Sequence, residues 1–282
     1  MNRVITVPIL IKILEERNFK AESWMFKPLI DLASKNKVLL EMLRVLNINN
    51  SLRRTQEKTI KDIIENVKII SKILSDLNFT FFKLIKPVSY VPSDIDILIS
   101  CKDFWEAVKR LRKLNYRIFI EEPYCAELIQ PSSSIDLYVN PTVGNVIYMD
   151  GQILLEHTTY FDIDDIGIKT LESYAECVVT ASHAVYKERI YTLNDFFTIE
   201  KWMTKESLKL SNELNCRPAL EFAMYLNKMI RRGVIEVPYK LPFPLWCKLM
   251  ADKFCNDKLT RASFLNLSLI HISEPTRPRL IS

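Results

Sequence analysis

The spacing of apolar residues changes twice along the chain. Up to about residue 76, apolar residues recur every three or four positions, which predicts amphipathic helices. The clearest run is Ile60, Ile63, Ile64, Val67, Ile70 and Leu74. From Asn78 onward β-branched and aromatic residues predominate, and after Gly167 the helical spacing returns. The pattern predicts two helical regions with a β-sheet segment between them.

Within the middle segment, alternating and β-branched runs predict strands separated by loops and one helix. The strands are expected over 79–85, 94–100, 116–121, 126–130 and 134–140, with a helix over 102–114. The pair Asp150-Gly151 between short apolar runs predicts a hairpin joining 146–149 to 152–155. We therefore expect an α+β fold with a mixed sheet: an N-terminal helical region at 1–76, an α/β core at 77–168 and a C-terminal helical region at 169–266.

Composition narrows the possible functions. The 282 residues are 48% hydrophobic and 26% charged, which excludes a disordered chain, and no uncharged apolar run is long enough to cross a bilayer. Only four glycines are present, so neither glycine-rich phosphate loop, GxGxxG or GxxxxGK[ST], can be written. The net charge of +5 is compatible with a phosphate-bearing ligand. Six scattered cysteines without a CxxC pair predict free thiols and a cytoplasmic protein. The lack of a spanning apolar run predicts no membrane partner.

The last sixteen residues, 267–282, differ in character from the rest of the chain. Their sequence resembles the translation of a transposon-based sequencing-library adapter, including its constant part and an index-like insertion at 278–280. We expect this tail to be non-native and exclude it from functional reasoning.

Three aspartates form the candidate site. Asp94 and Asp96 lie two positions apart in a predicted strand, so they share a face, while Ile95 and Ile97 take the other. Asp136 lies in a second strand with the same alternation. If the two strands pair, three carboxylates converge, which is the oxygen-rich arrangement that holds Mg²⁺ with substrate phosphates. The alternative is a structural one, with Asp94 ending the strand and Asp96 facing solvent.

Longer stretches around these aspartates resemble a known superfamily. The segments 81–99 and 134–138 resemble nucleotidyltransferases of the polymerase-beta type, and more narrowly a poorly characterised nucleotidyltransferase family with flanking helical regions. The resemblance covers roughly residues 55–205, including a His, a basic residue and an Asp after residue 182. It implies transfer of a nucleoside monophosphate from an NTP to an acceptor hydroxyl, with Asp94, Asp96 and Asp136 as catalytic residues and ligands of a two-ion Mg²⁺ site. Asp136 would also be a possible base.

One departure from the superfamily concerns phosphate binding. The glycine pair that usually precedes the two aspartates is missing, and Lys83 is followed by Leu84 where the narrower family often has glycine. Lys83 or Lys86, with the hydroxyl of Ser89 or Ser93, could donate to phosphates instead. Lys187 or Arg189 could also lie near the nucleotide phosphates.

His183 is predicted either as a helix-packing histidine or as part of the nucleotide site. Asp195 is expected to be an N-cap or a first-turn acid.

Two functional hypotheses remain open. The first is a metal-dependent nucleotidyltransferase acting on an unknown hydroxyl of a protein, an RNA end or a small molecule. The second is a catalytically inactive nucleotidyltransferase fold that acts as a binding or regulatory module; by family analogy alone, it could be a toxin–antitoxin component. The sequence leaves the acceptor, the preferred NTP and the oligomeric state open.

Overall fold

The computed structural model describes residues 6–16, 19, 21–131, 133–164 and 166–273. Of the tail predicted to be non-native, 267–273 continue the backbone of the last helix and 274–282 lie outside the described residues. The origin of this tail stays a prediction.

The first region of the chain is helical, as its apolar spacing predicts. Its helices are α1 (Val7–Glu16), α2 (Phe26–Lys35), α3 (Leu39–Val45) and α4 (Ser51–Ile73). The long helix α4 is capped by Asn50. The Asn50 side chain accepts a hydrogen bond from the Arg53 backbone N–H at 2.9 Å, a donor that has no partner within the helix.

Seven strands of the described chain form one mixed sheet in the order β3-β4-β5-β2-β1-β9-β8. They are β1 (Phe79–Phe81), β2 (Ile95–Ile99), β3 (Arg117–Glu122), β4 (Cys125–Gln130), β5 (Ser133–Tyr138), β8 (Thr158–Ile163) and β9 (Ile166–Leu171). β6 (Thr142–Val143) and β7 (Val146–Ile147) form a separate small pair. Strands β2 and β5, and also β1 and β9, are parallel, whereas the other neighbours in the large sheet are antiparallel.

The remaining helices surround this sheet. They are α5 (Phe104–Lys113), α6 (Gly151–Leu155), α7 (Ser173–Ser182), a π-helix (His183–Glu188), α8 (Leu193–Trp202), α9 (Lys205–Glu213), α10 (Arg217–Arg231), α11 (Phe243–Asn256) and α12 (Lys258–Ser273), with a short strand pair β10 (Ile190–Tyr191) and β11 (Tyr239–Lys240). None of the helices described is both long and apolar enough to span a membrane. The predicted α+β class, a mixed sheet flanked by helices, is confirmed.

The sheet separates two hydrophobic cores. Because side chains alternate along a strand, Ile95, Ile97 and Ile99 of β2 pack on one face with residues of α4 and α5. Leu98 of the same strand joins the opposite core, which α1–α3 share with α7, α8 and α10. The fully buried residues of α4, Val67 and Ile70, thus belong to a different core from those of α1–α3. The proposed three-part division of the chain remains a prediction.

The predicted hairpin at Asp150-Gly151 is wrong. Asp150 caps helix α6, and its carboxylate accepts hydrogen bonds from the backbone N–H groups of Gln152, at 2.8 Å, and Ile153. Gly151 allows the start of α6 to lie close to the backbone of Val139, since a Cβ built at residue 151 would lie 2.0 Å from the Val139 carbonyl oxygen. An Asp-Gly pair serves a helix start as readily as a turn, because Asp is both a good cap and a good turn residue.

The sheet also extends further than the sequence predicts. Strands β8 and β9 form an antiparallel hairpin in a stretch where no strand is predicted, and β9 pairs with β1 in parallel. The predicted end of the core at residue 168 therefore falls inside β9, which continues to Leu171.

A single buried amide ties the N-terminal helices to the C-terminal ones. The Asn36 side chain, fully buried, donates to the carbonyl oxygens of Leu32 at 2.9 Å and Val237 at 3.0 Å, and accepts from the Leu193 N–H at 3.1 Å. The Asn36 carbonyl also accepts from the Asn194 N–H. This network fixes the turn between α2 and α3 against the start of α8.

Replacing Asn36 with Ala is expected to lower the free energy of unfolding by about 2–3 kcal/mol, because it leaves several buried backbone groups without partners. Denaturant unfolding followed by circular dichroism measures this. The control is Asn212→Ala, an exposed position on α9, which should change stability by less than about 0.5 kcal/mol. Equal effects of the two substitutions would contradict the assigned network.

Candidate functional site

Two neighbouring parallel strands bring Asp96 and Asp136 side by side. β2 pairs with β5 in a register that sets Asp96 opposite Asp136 and Ile97 opposite Leu137. Asp94 lies immediately before β2, which begins at Ile95. All three carboxylates line one cavity of about 220 Å³. The structure therefore places the three predicted aspartates at a common cavity, on the sheet face opposite the isoleucines.

Asp96 is the most buried of the three and has an ammonium as its neighbour. Its side chain is 6% exposed, and its Oδ1 lies 2.6 Å from Lys83 Nζ. Within the described residues this ion pair is the polar contact of Oδ1. Burial raises the pKa of Asp96 to about 7; Lys83 opposes this rise, while Asp94 and Asp136 add to it.

Lys83 has an unusual backbone as well as a buried charge. Its φ of +58° lies in the left-handed region that favours glycine, and its carbonyl accepts a hydrogen bond from the Tyr90 hydroxyl. Burial would lower the pKa of Lys83, but the nearby carboxylates Asp96, Asp94 and Asp136 raise it above its ordinary value. Lys83 is therefore charged and directed at the three aspartates.

The other two aspartates have hydroxyl partners. Asp136 Oδ2 accepts a hydrogen bond from the Tyr138 hydroxyl at 2.7 Å, and that hydroxyl accepts one from Lys187 Nζ at 2.9 Å. Asp94 Oδ1 accepts one from the Ser93 hydroxyl at 3.0 Å. The two hydrogen bonds, from Lys187 to Tyr138 and from Tyr138 to Asp136, hold Asp136 in place without a direct ion pair.

The arrangement does not fit a divalent metal ion as it stands. Carboxylates are the ligands that Mg²⁺ prefers. In the part of the chain that the structure describes, however, no group of three or more His, Cys, Asp and Glu side chains is arranged to hold a metal. The Lys83 ammonium occupies the space next to Asp96. The expected Mg²⁺ site on Asp94, Asp96 and Asp136 stays a prediction.

Lys86 lines the cavity but has its own buried partners. Its ammonium donates to Glu176 Oε1 at 2.8 Å and to the Thr180 hydroxyl at 2.6 Å. The side chains of Lys86 and Glu176 are 5% and 3% exposed. This pair links the loop after β1 to helix α7, which favours a structural role for Lys86 over phosphate binding. Ser89 also points elsewhere, since its hydroxyl accepts from Arg44 on α3 at 2.8 Å.

A lysine that the sequence analysis missed also lines the cavity. Lys37 lies between α2 and α3 with a φ of +56° and is exposed. Its carbonyl oxygen accepts a hydrogen bond from the Asn194 side-chain amide at 3.4 Å, whereas its ammonium makes no hydrogen bond or ion pair with the described residues. Its position depends on the buried Asn36 beside it. The sequence signal for this placement of Lys37 is weak: a polar stretch at the end of α2. Lys37 and the half-buried Lys187 are the cavity ammonium groups that have no carboxylate partner among the described residues.

The π-helix orients the next group of polar side chains. His183 contacts the Tyr148 hydroxyl through Nδ1 and Glu188 Oε1 through Nε2, each at 3.2 Å. Burial, with Lys83 nearby, lowers the pKa of His183, so the imidazole is neutral. His183, Lys187 and Glu188 all line the cavity, whereas Arg189 instead lies over the Trp246 ring at 5.4 Å. Local π-helices are frequent at functional sites.

Asp195 combines a capping role with a place on the cavity wall. Its carboxylate accepts hydrogen bonds from the backbone N–H and the hydroxyl of Thr192 at the start of α8, at 2.8 and 2.7 Å, which completes a capping box. The prediction of a first-turn acid is confirmed. Burial raises the pKa of Asp195.

Comparisons with known proteins give a distant structural likeness. No protein-family model matches the chain, and no curated protein matches its sequence. Among solved structures, the chain is similar to the aminoglycoside nucleotidyltransferase ANT(2″)-Ia, crystallised in complex with adenylyl-2″-tobramycin, at 14% identity over 61% of this chain and 99% of that one. The TM-score is 0.34, too low to support an argument about function.

The cavity therefore has two chemically distinct sides. Asp94, Asp96 and Asp136 offer carboxylates, one of them with a pKa near neutrality. Lys37 and Lys187 offer ammonium groups without carboxylate partners. An anionic ligand that also presents a hydroxyl could be held by the cations while a carboxylate accepts a proton.

Proposed function

We propose that this cavity binds a nucleoside triphosphate and transfers its nucleoside monophosphate to an acceptor hydroxyl. The observation that carries the proposal is the pairing of Asp96 with Asp136 on adjacent parallel strands, in one cavity with Asp94 and with Lys37 and Lys187. The arrangement agrees with the resemblance of 81–99 and 134–138 to nucleotidyltransferases of the polymerase-beta type. The acceptor is a hydroxyl of a protein, an RNA end or a small molecule.

The reaction can be written with residues of this chain. Lys37 and Lys187 bind the triphosphate oxygens and orient the α-phosphate. Asp96 accepts the proton of the acceptor hydroxyl, whose oxygen attacks the α-phosphorus. The bond from that phosphorus to the bridging oxygen of the β-phosphate breaks, and pyrophosphate leaves with the electron pair. Asp96 suits the role of base better than Asp136, because a base with a pKa near 7 is ionised at neutral pH yet still takes up a proton.

A second candidate function has its own observation. The ion pair between Lys83 and Asp96, together with the lack of a ready-made metal arrangement in the described chain, favours a module that binds nucleotide without turning it over. Nucleotide binding without transfer would identify this case.

The test combines binding with transfer. An NTP that binds the native state and not the unfolded state should raise the unfolding temperature. A ligand at 100 times its Kd adds about 2.7 kcal/mol to the free energy of unfolding. Incubation with α-phosphate-labelled NTPs, with and without Mg²⁺, then detects label on an acceptor or release of pyrophosphate. Stabilisation without either product supports the binding module. If none of the NTPs raises the unfolding temperature, both candidate functions are contradicted.

Replacing Lys187 with Met is expected to raise the Kd for the NTP at least about tenfold, because a charge-assisted hydrogen bond to phosphate contributes about 1.5–3 kcal/mol. Calorimetric titration of the folded variant measures the Kd. The matched control is Lys209→Met, an exposed lysine on α9 away from the cavity, which should leave the Kd unchanged. An unchanged Kd in Lys187→Met would remove Lys187 from the proposed phosphate site.

A further inference from the structure

A second chamber lies against the cavity of the aspartates. It has a volume of about 250 Å³ and shares with that cavity the lining residues Lys37, His183, Glu188 and Asp195. Each of the two volumes, about 220 and 250 Å³, is smaller than the roughly 300–1,000 Å³ of sites that enclose a drug-sized ligand, and together they reach that range. A ligand as large as a nucleoside triphosphate therefore needs both volumes.

The lining of the two volumes decides which end of a nucleotide each can hold. Lys187 lines the cavity of the aspartates, and Lys37 lies on the wall between the two. The triphosphate that these lysines bind in the proposed function thus lies on the aspartate side, and the ribose and base extend into the second chamber. There Ile190, 39% exposed, and the exposed Pro238 offer apolar surface that the face of a base can cover.

Glu188 supplies the second chamber with an oriented carboxylate. Its Oε1 lies 3.2 Å from His183 Nε2, and His183 Nδ1 lies 3.2 Å from the Tyr148 hydroxyl. A neutral imidazole has one donor and one acceptor nitrogen, so Nε2 donates to Glu188 while Nδ1 accepts from Tyr148. The hydrogen bond from His183, with Lys37 and Lys187 nearby, lowers the pKa of Glu188 despite its partial burial. One such bond leaves an ionised carboxylate able to accept two further donors, because its oxygens carry about four lone pairs.

The other charged side chains of the second chamber are engaged within the protein or belong to the phosphate side. Asp195 accepts hydrogen bonds from the backbone N–H and the hydroxyl of Thr192. Lys35 forms an ion pair with Asp31 at 2.7 Å. Among the described residues of this chamber, Glu188 is therefore the carboxylate that remains to select a base.

A carboxylate distinguishes the bases by their hydrogen-bond donors. Guanine presents its N1–H and one N2–H side by side, and the two oxygens of a carboxylate can accept both in one plane. Adenine and cytosine each set an amino donor beside a ring nitrogen that accepts, and uracil sets one N–H between two carbonyl groups. Guanine is thus the base that offers two adjacent donors to Glu188.

We propose that the second chamber holds the base of the donor nucleotide and that Glu188 selects guanine there, which makes GTP the preferred substrate. The inference rests on the proposed function, because Lys37 and Lys187 must hold the triphosphate for the base to reach this chamber. It names the nucleotide of that site and assigns a specificity role to a side chain of the π-helix.

The first test uses the unaltered protein and calorimetric titration with each NTP. GTP should bind at least about tenfold more tightly than ATP, CTP or UTP, the order of discrimination that a bidentate contact to a base provides. ITP, which differs from GTP only in lacking the 2-amino group, should bind about tenfold more weakly than GTP. Equal Kd values for GTP and ITP would overturn the proposal, and this result does not depend on the folding of any variant.

Glu188→Gln assigns the preference to the carboxylate. The amide keeps the shape of the side chain but replaces one acceptor by a donor, so the Kd for GTP should rise at least about tenfold while the Kd for ATP stays within about threefold. The matched control is Glu213→Gln, an exposed position on α9 outside both volumes, which should keep the full preference for GTP. A preference that survives in folded Glu188→Gln, or an equal loss for GTP and ATP, would remove Glu188 from base selection.

The outcomes separate this inference from the proposed function. Equal binding of all four NTPs overturns the selection of guanine and leaves the nucleotide site in place. Selective binding of GTP without transfer of label supports the role of Glu188 and favours the binding module over the enzyme. If no NTP binds, both the proposed function and the selection of guanine are overturned.

Discussion

Replacing Asp96 with Asn is expected to lower the rate of nucleotidyl transfer by about 10³-fold, the middle of the range for loss of a general base. Asn keeps the shape of the side chain but cannot accept the proton of the acceptor hydroxyl. The rate is measured in single turnover at saturating NTP, so that weaker binding does not enter. Circular dichroism and cooperative unfolding of the variant show that the loss arises at the reaction and not from unfolding.

The matched control is a carboxylate on the next strand. Glu127 of β4 lies opposite Asp136 in the register of β4 and β5, but it does not line the cavity. Glu127→Gln should therefore transfer at nearly the unaltered rate. Equal losses in the two variants would indicate a general effect of negative charge near β5, and full activity in Asp96→Asn would remove Asp96 from the reaction.

The dependence on pH gives Asp96 a signature of its own. With a pKa of about 7 it is protonated below neutrality, so the transfer rate should rise as pH increases from about 6 to 8, and this inflection should be absent from any residual activity of Asp96→Asn. The free energy of unfolding changes with pH in the opposite direction to the transfer rate. Because the folded-state pKa lies above the ordinary value of an aspartate, the folded protein holds the proton more tightly, and the free energy of unfolding falls as pH rises from about 4 to about 7.

Local sequence rules account for the part of the site that lies on strands. Side chains alternate between the two faces of a strand, so Ile95 and Ile97 lie on the core face and Asp96 lies on the other. This alternation fixes the orientation of any strand that has one buried face. The proximity of Asp96 and Asp136 does not follow from local sequence, because it depends on which strands pair. From the sequence alone, the convergence is conditional on pairing of the two strands, and the parallel register of β2 with β5 meets this condition.

Contacts between distant segments lie beyond local rules. Lys37 reaches the cavity because Asn36, some 157 residues from Leu193, anchors the turn before α3 to the start of α8. The ion pair of Lys86 with Glu176 spans 90 residues. A lysine before a candidate site has the same local sequence whether it binds phosphate or a buried glutamate, so only the tertiary structure distinguishes the two roles.

Replacing Lys86 with Met is expected to lower the free energy of unfolding by about 3–5 kcal/mol, because removal of one partner of a buried ion pair leaves the other uncompensated. Glu176 is 3% exposed, and its second oxygen, Oε2, has no hydrogen-bond partner. Loss of Lys86 would leave Thr180 nearby but no cation in contact. Thermal and denaturant unfolding measure the change.

A double variant separates the ion pair from other effects. Lys86→Met with Glu176→Leu replaces both charges by apolar groups, and it should recover most of the lost stability, since such replacements are often neutral. Lys35→Met is the control for loss of a lysine: its partner Asp31 is exposed on the same helix, and the cost should be below about 1 kcal/mol.

The same variants decide between the two roles of Lys86. If Lys86 binds phosphate, Lys86→Met leaves stability nearly unchanged and weakens NTP binding, and the double variant shows no recovery. If Lys86 is structural, stability falls, the double variant restores it, and the restored protein binds NTP with close to its original affinity. The second outcome follows from the geometry, because the ammonium already has Glu176 at 2.8 Å and the Thr180 hydroxyl at 2.6 Å. Phosphate binding would then rest on Lys37 and Lys187.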